Sequence, residues 1–369
     1  MKIGLFGFPM TGKSTLFQIL TGVEPSAHAA PGEAQLGMTK VPEPRLDKLV
    51  AMYSPKKTTP ATVEYLDLAG MEKGQAAKVL PLDQLRTADA LAHVVRAFED
   101  ENIPHSETSI DPARDVELME TEFILADHTV AEKRREKLAL QVKKTNQPEE
   151  KKELALFERV VASLEEETPL RNVEFNEDEL RSLRGYTFLS LKPLLVVVNA
   201  GEADAGKLDQ GPAAFGLETI ATKPDTEVVA LSAQIEAEIS QLEDDDAASF
   251  RADLGIEEPA LDRMIRASYH LLDRISFFTV GEDECRAWTI RRGTVARKAA
   301  GAIHGDIERG FIRAELIAYD DLVEAGSFNA GKEKGTLRES NGTRGEAKKD
   351  TEVAIISSWT FSPIPGIVF

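Results

Sequence analysis

The 369-residue chain has a single cysteine, Cys285, which excludes an intramolecular disulfide framework and a cysteine-built zinc site. It has no apolar run near the roughly 20 residues that a membrane span needs. Ile3-Gly4-Leu5-Phe6, after Met1-Lys2, is too short for a signal-peptide core. No membrane partner is expected, and the cytoplasm is the expected compartment. Positive charge is in deficit: 44 Lys and Arg against 63 Asp and Glu give a net charge of −19. Such a mean field repels phosphate and argues against a general polyanion binder. The imbalance is not uniform. Lys133, Arg134, Arg135, Lys137, Lys143, Lys144, Lys151 and Lys152 gather in one stretch, whereas Glu243-Asp244-Asp245-Asp246 reads as a solvated acidic face.

What is present is an alternation of strands and helices. Lys2–Phe6 reads as a buried strand and Lys13–Thr21 as a helix with Leu16, Ile19 and Leu20 inward. Residues 24–37, rich in Pro, Ala and Gly, read as loop, and Pro44–Tyr53 reads as a short helix. Thr62–Leu68, Ala90–Arg96, Leu194–Val198 and Val228–Leu231 are further strands, the third a continuous apolar run of the kind buried in parallel sheets. Between them, Met119, Phe123, Ala126 and Val130, then Leu154, Phe157, Val161 and Leu164, recur at three- and four-residue steps around Thr145–Pro148. That spacing predicts an antiparallel helical hairpin. From about Ser276 the strands shorten, with one helix near 296–310, and the composition of 326–350 predicts a loop. The expected class is α/β: a doubly wound sheet (1–110 and 186–275), an inserted hairpin (111–185) and a small α+β domain (276–369).

The chemistry concentrates near the N-terminus. Gly7-Phe8-Pro9-Met10-Thr11-Gly12-Lys13-Ser14 fits G-x-x-x-x-G-K-[ST] and lies between a strand and a helix, where backbone N–H groups and the helix N-terminus can hold phosphates. Lys13 is expected at the β- and γ-phosphates, Ser14 on Mg²⁺, and Thr15 beside it. Asp67-Leu68-Ala69-Gly70 ends another buried strand, so Asp67 is a candidate Mg²⁺ ligand and Gly70 a candidate γ-phosphate sensor. Asn199-Ala200-Gly201-Glu202 stands where guanine-specific switches carry N-K-x-D, with Ala200 for Lys and the longer Glu202 for Asp. This geometry is expected to discriminate less well for guanine. Ser232-Ala233 fits the last base-contacting loop. The residue after Gly70 is Met71, whose thioether cannot orient an attacking water, so intrinsic turnover is expected to be slow. His93, on a buried strand, reads as a core histidine.

Together these residues, with Pro42-Glu43-Pro44-Arg45-Leu46 and the run from His93 to Phe98, resemble the YchF-type branch of the Obg-related P-loop NTPases. Arg286-Ala287-Trp288-Thr289-Ile290 and Gly310-Phe311-Ile312-Arg313-Ala314 look like that family's TGS domain, a β-grasp module. The resemblance implies an ATPase that favours ATP over GTP and associates with ribosomes. The departures are Met10 in place of the usual Asn, no clear counterpart of the switch-loop threonine (Pro31 lies near its place, with Ser26 the candidate substitute), and a shortened Met71–Gln75 segment. Two other readings stand beside it: a GTP-preferring enzyme of the same fold, or an interaction protein that uses bound nucleotide structurally. The basic hairpin stretch suits ribosomal RNA, with the C-terminal module as a second contact.

Overall fold

The computed structural model describes residues 1–24, 34–68, 82–100, 102–103, 105, 109–256, 258–340 and 354–361, with Asp244, Glu339, Ser340 and the last segment described through their backbone alone. The chain divides into two compact units, Met1–Thr39 with Val63–Leu271, and Lys40–Thr62 with Leu272–Phe369.

In the first unit, β1 (Lys2–Phe6) runs into α1 (Lys13–Thr21), and β2 (Gln35–Lys40) follows. α1 stops at Gly22, whose left-handed conformation lets its N–H donate to the Gln18 carbonyl at 2.7 Å. The chain then leaves for the second unit with α2 (Pro44–Tyr53) and β3 (Lys57–Thr59) and returns as β4 (Thr62–Asp67). Next come α3 (Leu82–Arg86), β5 (Ala90–Ala97), α4 (Pro112–Thr145), α5 (Pro148–Glu165) and α6 (Glu177–Leu183). The unit closes with β6 (Leu194–Ala200), α7 (Glu218–Ala221), β7 (Thr226–Leu231), α8 (Ala233–Ile239), α9 (Asp244–Asp253) and α10 (Ala260–Leu271). The six strands order as β2-β4-β1-β5-β6-β7, and β4, β1, β5, β6 and β7 run parallel. The order reverses at β1, so the loop leaving β1 sits where open parallel sheets bind ligands.

α4 belongs to two cores. Val116, Met119 and Phe123 join Phe6 and Phe8 against the sheet, while Ile124, Ala131 and Leu138 meet Leu156, Phe157, Val160 and Val161 of the hairpin. With 34 residues it spans about 50 Å. Asn146 takes the left-handed conformation (φ 54°) and Pro148 starts α5, so a two-residue turn folds the chain back on itself. Two carboxylates are buried at the arm's root. Asp127 accepts from Leu189 N, Ser190 N, Ser190 Oγ and Arg86 Nη1 at 3.0, 2.7, 2.8 and 3.2 Å. Glu120 pairs with Arg171 and with Lys223.

The second unit adds β8 (Arg274–Thr279), β9 (Glu284–Arg291), α11 (Ala296–Ile303), α12 (Gly305–Gly310) and β10 (Phe311–Ala318). It ends with α13 (Tyr319–Ala325), α14 (Phe328–Lys334), β11 (Arg338–Ser340) and β12 (Ala354–Phe361). The mixed sheet orders as β11-β10-β12-β8-β9-β3, with a parallel β12–β8 pair at its centre.

Residues 35–37, expected as loop, open β2, and three further expectations change. Residues 40–62, expected within 1–110, belong to the second unit, because β3 pairs in parallel with β9. The helix expected over 296–310 is two helices: His304 is extended, and its Nδ1 accepts from Asp306 N at 3.1 Å to cap the second. Residues 328–340, expected as loop, form α14, capped by Ser327, and β11.

Candidate phosphate-binding site

The loop from β1 to α1 is shaped by close approach. A Cβ on Gly7 would run into the Val94 carbonyl oxygen, and one on Gly12 into the Asn199 amide nitrogen. Gly12 also has φ 84°, in the left-handed region that glycine enters without cost. Met10 shares that region at φ 61°, where an asparagine sits more readily, and its side chain is 63% exposed. Thr11 Oγ1 donates to the Phe8 carbonyl at 3.1 Å, folding the loop on itself, while Phe8 is buried in the core beneath and Pro9 is half-buried. No side chain caps α1, so its first-turn N–H groups are left for a ligand.

Lys13 is 5% exposed, and its ammonium forms an ion pair with Asp67 at the end of β4. The strand register explains the meeting: Leu5 lies opposite Asp67 in the β1–β4 pair. Ser14 and Thr15, one residue on, are exposed. Asn199, at the end of β6, donates from Nδ2 to the Thr11 carbonyl and accepts at Oδ1 from Ala233 N, both at 2.9 Å. One amide thus ties the phosphate loop to the Ser232–Ala233 turn, where Ser232 Oγ caps α8 by accepting from Ile235 N at 3.4 Å. Glu202 is not drawn into this network: it starts a short 3₁₀ turn, exposed and without a partner among the described residues. Gly70, Met71, Ser26 and Pro31 lie outside the described residues.

Sequence reasoning missed Arg96, fully buried on β5 directly opposite Asn199. The available signal was a cation at the end of an otherwise apolar strand. His93 stacks on Phe6 at 4.5 Å, and burial pushes its pKa down to about 3, which agrees with a core histidine. The described residues hold no cluster of three or more His, Cys, Asp or Glu that could bind a metal unaided. Ser14 and Asp67 are hard oxygen donors of the kind that suits Mg²⁺ shared with phosphate and water, so this donor set fits that ion. Among the described residues no helix is long and apolar enough to cross a membrane.

A glycine cradle between a parallel strand and a helix, with a buried lysine facing a strand-end carboxylate, defines a P-loop nucleoside triphosphatase fold. A family model described as 50S ribosome-binding GTPase matches residues 2–159, and the model for the YchF GTPase C-terminal region, described as a protein of unknown function, matches 274–356. A Ribosome-binding ATPase YchF from Haemophilus ducreyi is 40% identical over 344 residues, covering 91% of this chain and 94% of the relative. That of Bacillus subtilis is 37% identical, covering 92% and 94%. The solved Schizosaccharomyces pombe YchF GTPase superposes with a TM-score of 0.82 at 28% identity, covering 98% and 97%. The chain belongs to the YchF family.

Proposed function

We propose that the chain is a Mg²⁺-dependent ATP-binding protein that hydrolyses its nucleotide slowly and associates with the ribosome in the cytoplasm. The observation that carries this reading is the buried Lys13 ammonium in a glycine cradle, aligned with Asp67. In this reading the nucleotide work falls to 1–39, 63–110 and 186–275. Backbone N–H groups of residues 7–15 hold the phosphates, and Lys13 neutralises charge at the β- and γ-positions. Ser14 and Asp67 would hold Mg²⁺, which, when bound, neutralises charge developing on the phosphoryl oxygens. Asn199 keeps the phosphate loop and the Ser232–Ala233 turn in register. Gly70 is assigned the γ-phosphate, and Met71 after it supplies no hydrogen bond to water.

Two features support ATP: Ala200 and Glu202 stand where a guanine site needs Lys and Asp, and the bacterial relatives are named ATPases. The name of the S. pombe structure, a GTPase, favours the second reading. Competition between ATP and GTP for the Mg²⁺-loaded protein separates the two, and a clear GTP preference overturns the first. Ribosome association is supported by the relatives' names and by the hairpin tip, where Lys143, Lys144, Lys151 and Lys152 are exposed.

A further inference from the structure

β7 is the end strand of its sheet, with β6 on one side and the other side of its backbone turned outward. Two elements reach that outer side. Gly211, in the left-handed region at φ 84°, leads into a 3₁₀ turn at Pro212–Phe215 that packs against β7, and α10 brings Arg263. They do not close on one another. A cavity of about 160 Å³ lies between them, walled by Leu208, Pro212, Phe215 and Val228, with Asp209, Ala230 and Arg263 as its polar side. All of these residues belong to the first unit. None of the described residues that line the cavity belongs to the phosphate loop, and Asn199, Glu202, Ser232 and Ala233 are not among them.

The Arg263 guanidinium has three donating nitrogens, and two of them are taken. Nη1 pairs with the Asp209 carboxylate, and Nη2 donates to the Ala230 carbonyl at 2.8 Å. Nε is buried and has no hydrogen-bond partner among the described residues. A buried donor on a charged group is costly to leave unmet, so an acceptor belongs beside it. That acceptor need not be an anion. Asp209 already neutralises the guanidinium, and a second carboxylate would be repelled by the first.

Size and walls narrow the occupant further. A dry cavity of about 150 Å³ holds a benzene ring, whereas a buried water needs two to four polar partners. Four apolar walls and one unmet donor therefore suit a ring-sized apolar body better than water. An added strand fits poorly too, because the 212–215 turn packs against β7 and Arg263 holds the Ala230 carbonyl.

We infer that this cavity binds an uncharged small molecule with a ring-sized apolar body and one carbonyl oxygen, which accepts from Arg263 Nε. The test follows the methyl resonances of Leu208 and Val228 in the full chain, labelled at leucine and valine methyls. The probes are benzamide, its anionic counterpart benzoate, and benzene. The proteins are wild type, Arg263→Met, which keeps the side chain's length without its donors, and Val228→Phe, which fills the cavity.

Benzamide is expected to shift both methyls saturably, with benzoate at least about tenfold weaker. Arg263→Met weakens benzamide about tenfold and leaves benzene within about twofold. Val228→Phe abolishes the Leu208 shift with benzamide and with benzene, and it carries the test if Arg263→Met does not fold. Saturating ATP with Mg²⁺ leaves benzamide bound. Benzoate binding more tightly than benzamide overturns the uncharged class, and equal benzamide affinity in Arg263→Met overturns the part given to Nε. Displacement of benzamide by ATP, undiminished shifts in Val228→Phe, or no saturable shift with any probe overturns the site itself.

Discussion

Lys13 and Asp67, 54 residues apart in sequence, form a buried ion pair in which the cation of the phosphate loop meets the carboxylate that ends β4. Within this pair each residue neutralises the other. A nucleotide offers Lys13 phosphate oxygens, and Mg²⁺ gives Asp67 a new cation, so the two ligands are expected to bind together more readily than either alone.

Asp67→Asn tests this exchange. Comparing ATP affinity with Mg²⁺ and with EDTA, the wild type is expected to gain strongly from the metal and the variant about tenfold less. An equal gain in both proteins would remove Asp67 from the metal site.

His93 gives the protein a pH dependence of known sign. Burial lowers its pKa from 6.5 to about 3, so the unfolded chain takes up the proton first. Its contribution is complete above pH 6.5 and is lost as pH falls towards 3, at about 1.4 kcal/mol per pH unit. His93→Phe keeps an aromatic ring against Phe6, and its stability should lack this component. Urea denaturation of both proteins between pH 7 and about 4.5 checks it; parallel pH profiles would show that His93 is hydrated or partnered.

The parts legible from the sequence were those whose pattern is local. β1, the phosphate loop and α1 follow from an apolar run, two glycines and a lysine, and α5 follows from its apolar seam. Where a segment packs was less legible. Periodicity marks Pro44–Tyr53 as helical but not that it belongs with residues 272–369, since β3, with only three residues, finds β9 some 225 residues later. The basic stretch before the hairpin turn also read as more uniformly charged than it is, because Arg134 pairs with Glu153 and Arg135 with Glu132. Asp127 was hidden because its backbone partners, Leu189 and Ser190, lie more than 60 residues away and leave no local mark.

Asp127 is expected to matter for stability. Asp127→Ala removes four hydrogen bonds and leaves Arg86 without its carboxylate, at a cost of about 3 kcal/mol. Asp127→Asn, which keeps an acceptor oxygen, should cost less. A loss below about 1 kcal/mol in Asp127→Ala by urea denaturation would mean that water replaces the carboxylate.

The hairpin tip is expected to touch RNA. With Arg134 and Arg135 paired, the exposed lysines Lys143, Lys144, Lys151 and Lys152 are the basic side chains that flank the turn. Changing all four to Glu should weaken ribosome co-sedimentation about tenfold or more near 0.1 M salt and flatten its salt dependence, because fewer counterions are released. ATP affinity should not change. Undiminished co-sedimentation at low salt would assign the hairpin to structure alone.

The central claim is that Lys13 serves a nucleotide's phosphates, and calorimetric titration of ATP with Mg²⁺ into wild type and Lys13→Ala tests it most directly. The expected result is saturable binding by the wild type and at least about a hundredfold weaker binding by a variant that still unfolds cooperatively. Equal ATP affinity in the two proteins would contradict the account.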